Sequence, residues 1–196
     1  MKHYFLVTNI LILITTVISG CKQDVKVPPN NNIIGIKEFH VKSDSTELET
    51  SAKGTVFLSG EEGVPELAKI VAFVEIDPDD WGGISIYLSD QWNISSIISS
   101  YPEDRKEKIP EYLPAVWTTG AETEHGWNKF IEIGRDRSRS TTTGGGKGTV
   151  MIELEINKET MDVSDVFRMG VGVGSKEKDG IRIINPDSKD IEITIP

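Results

Sequence analysis

The stretch Thr149-Val-Met-Ile-Glu-Leu-Glu-Ile156 constrains the fold more than any other, because its apolar residues recur at every second position. Side chains of an extended strand point alternately to opposite faces, so Val150, Ile152, Leu154 and Ile156 share one buried face. The same period turns Ile84, Ile86 and Leu88 inward with Ser85, Tyr87 and Ser89 outward. It also turns Phe167, Met169, Val171 and Val173 inward, opposite Arg168 and a row of glycines at 170, 172 and 174. The glycine row leaves one side of its strand flat, for a closely packed neighbour or for a ligand. Lys69 to Ile76 is apolar on both faces, with Ile70, Ala72, Val74 and Ile76 on one and Val71 and Phe73 on the other, as a central strand would be. Segments 35–41, 53–59, 92–99, 128–134, 180–184 and 190–195 read as further strands, with Trp92, Ile94 and Ile98 sharing a face.

No window from Ile33 onward has helical spacing, and any helix is expected to be short, near Tyr101 to Lys108 or Glu159 to Val166. Turn formers separate the strands at Asp77-Pro-Asp-Asp80, Lys178-Asp-Gly180 and Asn185-Pro-Asp-Ser188. The expected fold is all-β, an antiparallel two-sheet β-sandwich of immunoglobulin-like or jelly-roll type, in a single domain over 33–196.

A chain of 196 residues with one cysteine excludes a disulfide framework and a cysteine-rich zinc site. Its 31 acidic against 21 basic side chains give a net charge of -10, and nucleic acid is not an expected partner, since that affinity rests on cation clusters.

Residues 1–20 carry Lys2, an apolar run from Tyr4 to Ile18 and small residues before the chain's single cysteine, the pattern of an export signal. The run is interrupted by Thr8, Asn9, Thr15 and Thr16 and is short for a spanning helix. Ile18-Ser19-Gly20-Cys21 resembles the lipobox of bacterial lipoproteins. The resemblance implies cleavage before Cys21, diacylglycerol on its thiol, and an extracytoplasmic protein held on the cell membrane or outer membrane by lipid. Residues 21–32 then form the lipidated cysteine and a polar, Pro-containing tether. Cleavage removes one lysine and no acid, so the exported chain is more acidic still.

Past the anchor, familiar catalytic patterns fail residue by residue. Gly83-Ile-Ser85 lacks the closing glycine of a nucleophile elbow, and Ser175-x-x-Lys178 lies where a hairpin is expected, without the companion elements of a serine acyl-transferase. Gly144-Gly-Gly-Lys-Gly-Thr149 leads into a strand, where a phosphate loop needs a helix N-terminus. His40 and His125 stand in no metal or catalytic motif. Asp77, Asp79 and Asp80 offer three hard oxygen donors for a structural calcium, although aspartates around proline also simply make turns. Arg135, Arg137 and Arg139 could clamp an anionic group. Among Trp81, Trp92, Trp117 and Trp127, Trp92 is expected in the core, while Trp81 and Trp117 sit among polar and glycine residues and could stack on sugar rings.

The expectation is a non-catalytic binding module with a polysaccharide or envelope-protein ligand. Two alternatives stay open: a cell-surface hydrolase using an Asp/Glu pair, and a structural subunit of an envelope assembly. The first requires two carboxylates facing each other across a cleft; the second requires an uncovered strand edge or a contiguous apolar patch.

Overall fold

The computed structural model describes residues 32–106, 109–120, 123, 126–135, 142–159 and 166–194. The signal segment, Cys21, nearly all of the tether, His125, Arg137 and Arg139 lie outside the described residues.

Among the described residues, ten strands form two antiparallel five-stranded sheets packed face to face as a β-sandwich. They are β1 (Ile33–Lys42), β2 (Ser51–Glu61), β3 (Val64–Ile76), β4 (Ile84–Leu88), β5 (Trp92–Ser99), β6 (Ala115–Thr118), β7 (Lys129–Ile133), β8 (Gly146–Ile156), β9 (Val166–Lys178) and β10 (Ile181–Thr194). One sheet has the order β1-β2-β3-β8-β5 and the other β10-β9-β4-β7-β6.

The alternating residues meet between the sheets. Ile70, Val74, Val150, Ile152 and Leu154 of the first sheet face Ile84, Ile86, Leu88, Ile131, Met169 and Val171 of the second, all buried. Trp92 packs edge-on against Phe167 at 5.2 Å between ring centroids. All of these side chains, and the rest of the core, come from residues after Asn32, so a chain beginning at Lys22 retains the entire described core. On one side β1 leans on β10, close enough that a Cβ on Gly35 would stand 2.5 Å from Ile193. The connection after β5 supplies two more core rings, Tyr101 and Tyr112, in an edge-on pair at 6.2 Å. Arg105 from the same connection donates to the Tyr112 hydroxyl and to the carbonyls of Thr143 and Gly144.

Several local expectations are corrected. The described part of 101–108 is turn rather than helix, and the helical piece nearby is one 3-10 turn at Pro110–Tyr112. A bulge between Ile94 and Ser96 resets β5, so Ile97 packs against the core while Ile98 faces outward at 59% exposure. Residues 181–184 and 190–194, expected as parts of two strands, belong to the one bulged strand β10. Asn185, with φ of 50°, and Pro186 are extruded while pairing with β9 resumes at Asp187. Gly146, Lys147 and Gly148, which precede the alternating stretch, already belong to β8. Ser85 is buried, not solvent-facing, because the Asn185 bulge folds over it.

Candidate functional site

The end of the sandwich near Asp77 is organised by hydrogen bonding within the chain. Asp77 Oδ1 accepts from the amide of Asp79 at 2.9 Å and its Oδ2 from the amide of Glu49 at 3.0 Å, an aspartate turn that also pins the β1–β2 loop. Asp80 is 0% exposed. Its Oδ1 accepts from the amides of Gly82 at 2.8 Å and Gly83 at 3.2 Å and from the Ser175 hydroxyl at 2.6 Å; its Oδ2 accepts from the Thr50 hydroxyl. The carboxylates of Asp77 and Asp80 are thus committed to separate hydrogen bonds within the chain while Asp79 is exposed, and among the described residues no group of three or more His, Cys, Asp or Glu side chains is placed to hold a metal ion. Ser175 is correspondingly a buried structural hydroxyl.

Above Asp80 lies an open groove of about 640 Å³ between the β1–β2 loop and Trp81, lined by Asp44, Glu47, Asp79, Trp81, Lys176 and Glu177 among others. Its loop wall is held by Asp187, whose carboxylate accepts from the amide and hydroxyl of Ser45, and by Lys176, which donates to the Ser45 carbonyl at 3.1 Å. The Trp81 ring is half-buried and carries the guanidinium of Arg182 5.5 Å from its centre. One of its faces is therefore already covered by the chain's own cation.

Trp117 is placed differently. It lies on β6, the four-residue edge strand of the second sheet, at 50% exposure. Strand register puts it directly opposite Phe130 on β7, which is opposite Tyr87 on β4, which is opposite Gly170 on β9. Because Ile131 and Ile86 point into the core, all four of these positions belong to the outer face. Trp117, Phe130 and Tyr87 thus form an aromatic row across three strands, spanning about 10 Å between the outer two. Tyr87 and Phe130 meet edge-on at 5.6 Å, so the row has relief instead of forming one plane.

The glycines make the row fit. A Cβ on Gly170 would lie 2.7 Å from Cδ2 of Tyr87, and one on Gly172 would lie 2.5 Å from its hydroxyl and 2.7 Å from Cβ of Asn185. Gly170 and Gly172 are therefore the bed on which the Tyr87 ring and the β10 bulge rest, while Gly174 abuts Ser43 just after β1. Asn185 donates to the Tyr87 hydroxyl at 2.8 Å and to Ser85 at 2.7 Å, and its amide oxygen is buried without a partner among the described residues. Burial pushes the Tyr87 hydroxyl above the ordinary tyrosine range, with the Asn185 and Ser85 hydrogen bonds opposing it. Next along the face, Glu132 pairs with Arg135, both side chains largely buried. Arg135 is therefore tied to a carboxylate beside the aromatic row, and its proposed clamp partners Arg137 and Arg139 lie outside the described residues.

Of the remaining tryptophans, Trp92 is core as expected and Trp127 is also buried, with the Arg168 guanidinium 5.6 Å from its ring centre. Sequence reasoning named Trp117 and Arg135 but missed Phe130 and Tyr87. The available signal was the pairing of a Gly-x-Gly strand with an outward aromatic, which becomes visible only with the strand order known.

Fold and surface together define the class, a two-sheet antiparallel β-sandwich protein with an exposed aromatic row on one sheet. Compared with known proteins, the chain matches no family model, and no curated protein matches it in sequence.

Proposed function

We propose that this is a lipid-anchored, extracytoplasmic binding module that holds a polysaccharide on the outer face of its second sheet without transforming it. The observation that carries the reading is the row Trp117–Phe130–Tyr87, an exposed indole in register with two half-buried rings on the neighbouring strands. Sugar rings present apolar C–H faces that stack on such rings, while rim polar groups orient the hydroxyls. Asn185, Glu132 and Arg135 supply polar groups beside the row. The Trp81 groove is the weaker candidate for a sugar because Arg182 already occupies a face of that ring. Anchoring rests on the lipobox-like Ile18–Cys21, with residues 21–32 as tether.

Two experiments test this reading. A tryptophan-fluorescence titration of the chain from Lys22 onward against soluble cell-wall and environmental polysaccharides should give a saturable change that Trp117→Ala abolishes and Trp81→Ala leaves intact. No response to any glycan would overturn the binding claim. Metabolic labelling with radioactive palmitate in a bacterial host should mark the full chain and fail on Cys21→Ser; an unlabelled full chain would refute the anchor.

A further inference from the structure

The outer face of the first sheet is unusual for a surface that an antiparallel sandwich turns to solvent, where polar residues are the rule. Val71 and Phe73 on β3 and Met151 on β8 occupy its centre; Ile98 on β5 stands opposite Met151, Thr55 and Lys53 on β2 stand opposite Val71 and Phe73, and Phe57 on β2 lies one row away, opposite Lys69. Ile36 extends the patch across β1 at 57% exposure.

Five charges border the centre: Lys53 on β2 stands opposite Phe73 with its ammonium 5.3 Å from the centre of that ring, and the other four are set in a definite pattern. Lys69 on β3 stands opposite Glu153 on β8 and pairs with it at 2.8 Å. Six residues along, the signs are exchanged, with Glu75 on β3 opposite Lys147 on β8 and paired at 2.5 Å. Positive and negative therefore alternate around a rectangle with Val71, Phe73, Met151 and Thr149 inside it.

We infer that this face docks a second copy of the same chain, sheet against sheet, about a two-fold axis lying between the two faces. The charge pattern is its own complement. With the axis along the strands, β3 of one copy covers β8 of the other, so Lys69 meets Glu153 and Glu75 meets Lys147. With the axis across the strands, β3 covers β3, so Lys69 meets Glu75 and Glu153 meets Lys147. Either arrangement sets opposite charges face to face around an apolar centre, as an isologous interface requires. An unrelated partner would need a matching pattern of its own; a second copy carries it already. The footprint is roughly 600 Å² per copy from strand spacing and rise. That places the dimer at the small end of specific interfaces, so it is a reversible one.

Sedimentation velocity of the chain from Lys22 onward, over a wide concentration range, tests the inference. The expected result is a reversible monomer–dimer equilibrium that Lys69→Glu weakens about tenfold or more, because the introduced carboxylate then meets another carboxylate in both arrangements. Met151→Lys, at the centre of the face, should abolish dimerisation with the thermal midpoint kept. Two charge swaps then identify the axis. Rescue by K69E/E153K supports an axis along the strands; rescue by K69E/E75K supports one across them. A chain that stays monomeric throughout, or a dimer indifferent to Lys69→Glu and Met151→Lys, overturns the inference. A monomer that instead co-sediments with phosphatidylcholine vesicles overturns it in favour of the bilayer as occupant.

Discussion

Replacing Asp80 by alanine removes a buried carboxylate that joins three distant parts of the chain. Thr50 stands just before β2, Gly82 and Gly83 in the β3–β4 turn, and Ser175 near the end of β9. The two hydroxyls can rotate towards other acceptors, but the two glycine amides cannot, and each stranded buried donor costs about 1–3 kcal/mol. Two such donors cost about 2–6 kcal/mol together; the carboxylate's own desolvation cost disappears with it and offsets part of this, leaving a net loss of about 2–4 kcal/mol. For a domain of this size that corresponds to a thermal midpoint lowered by roughly 10 °C. Asp80→Asn retains an acceptor for the glycine amides and loses only the bond to one hydroxyl and the charge assistance, so its loss should be about half as large. The assay is urea unfolding followed by tryptophan fluorescence, with a shifted midpoint and unchanged slope. A midpoint for Asp80→Ala equal to that of the parent, or Asp80→Asn costing more than Asp80→Ala, would refute the reasoning.

Gly172→Ala should disturb the aromatic row from beneath, since its Cβ would displace the Tyr87 hydroxyl and Asn185; a loss of about 1–3 kcal/mol by urea unfolding is expected, together with weaker glycan binding. Trp117→Ala, at a half-exposed edge, should abolish binding while changing stability by less than about 1 kcal/mol in the same assay. Burial pushes the Tyr101 hydroxyl up to about 12. Its contribution to stability is therefore complete below pH 10, where the unfolded chain also keeps the proton, and is lost as pH rises from 10 towards 12. Thermal scans across that window should show a decline that Tyr101→Phe makes shallower.

The period-two segments are legible because burial between two sheets rewards alternation, which the exposure of β3 and β8 follows, whereas in β4 and β9 outward positions such as Ser85, Gly170 and Gly172 are covered as well. What escaped was set by partners far along the chain. Ser85 is buried by Asn185, 100 positions away, and Asp80 takes its donors from Thr50, 30 positions before it, and Ser175, 95 after. Bulges are equally silent in a residue pattern, and the single extra residue at Ser95 exchanged the roles of Ile97 and Ile98. Strand β6, Ala-Val-Trp-Thr, is too short to show a period. Trp117 was recognisable as a candidate from its neighbours alone, but its aromatic companions come from β7 and β4, whose adjacency is a matter of topology. The self-complementary charges are hidden for the same reason, since the pairing of β3 with β8 joins segments far apart in the chain.

The most direct test of the account uses the four indole N–H groups as separate reporters in a proton–nitrogen correlation spectrum, with soluble oligosaccharides added to the chain from Lys22 onward. The account predicts that the Trp117 indole signal shifts progressively to saturation while those of Trp81 and the buried Trp92 and Trp127 stay in place. A shift of the Trp81 signal alone, or four unmoved signals with every oligosaccharide, would contradict it.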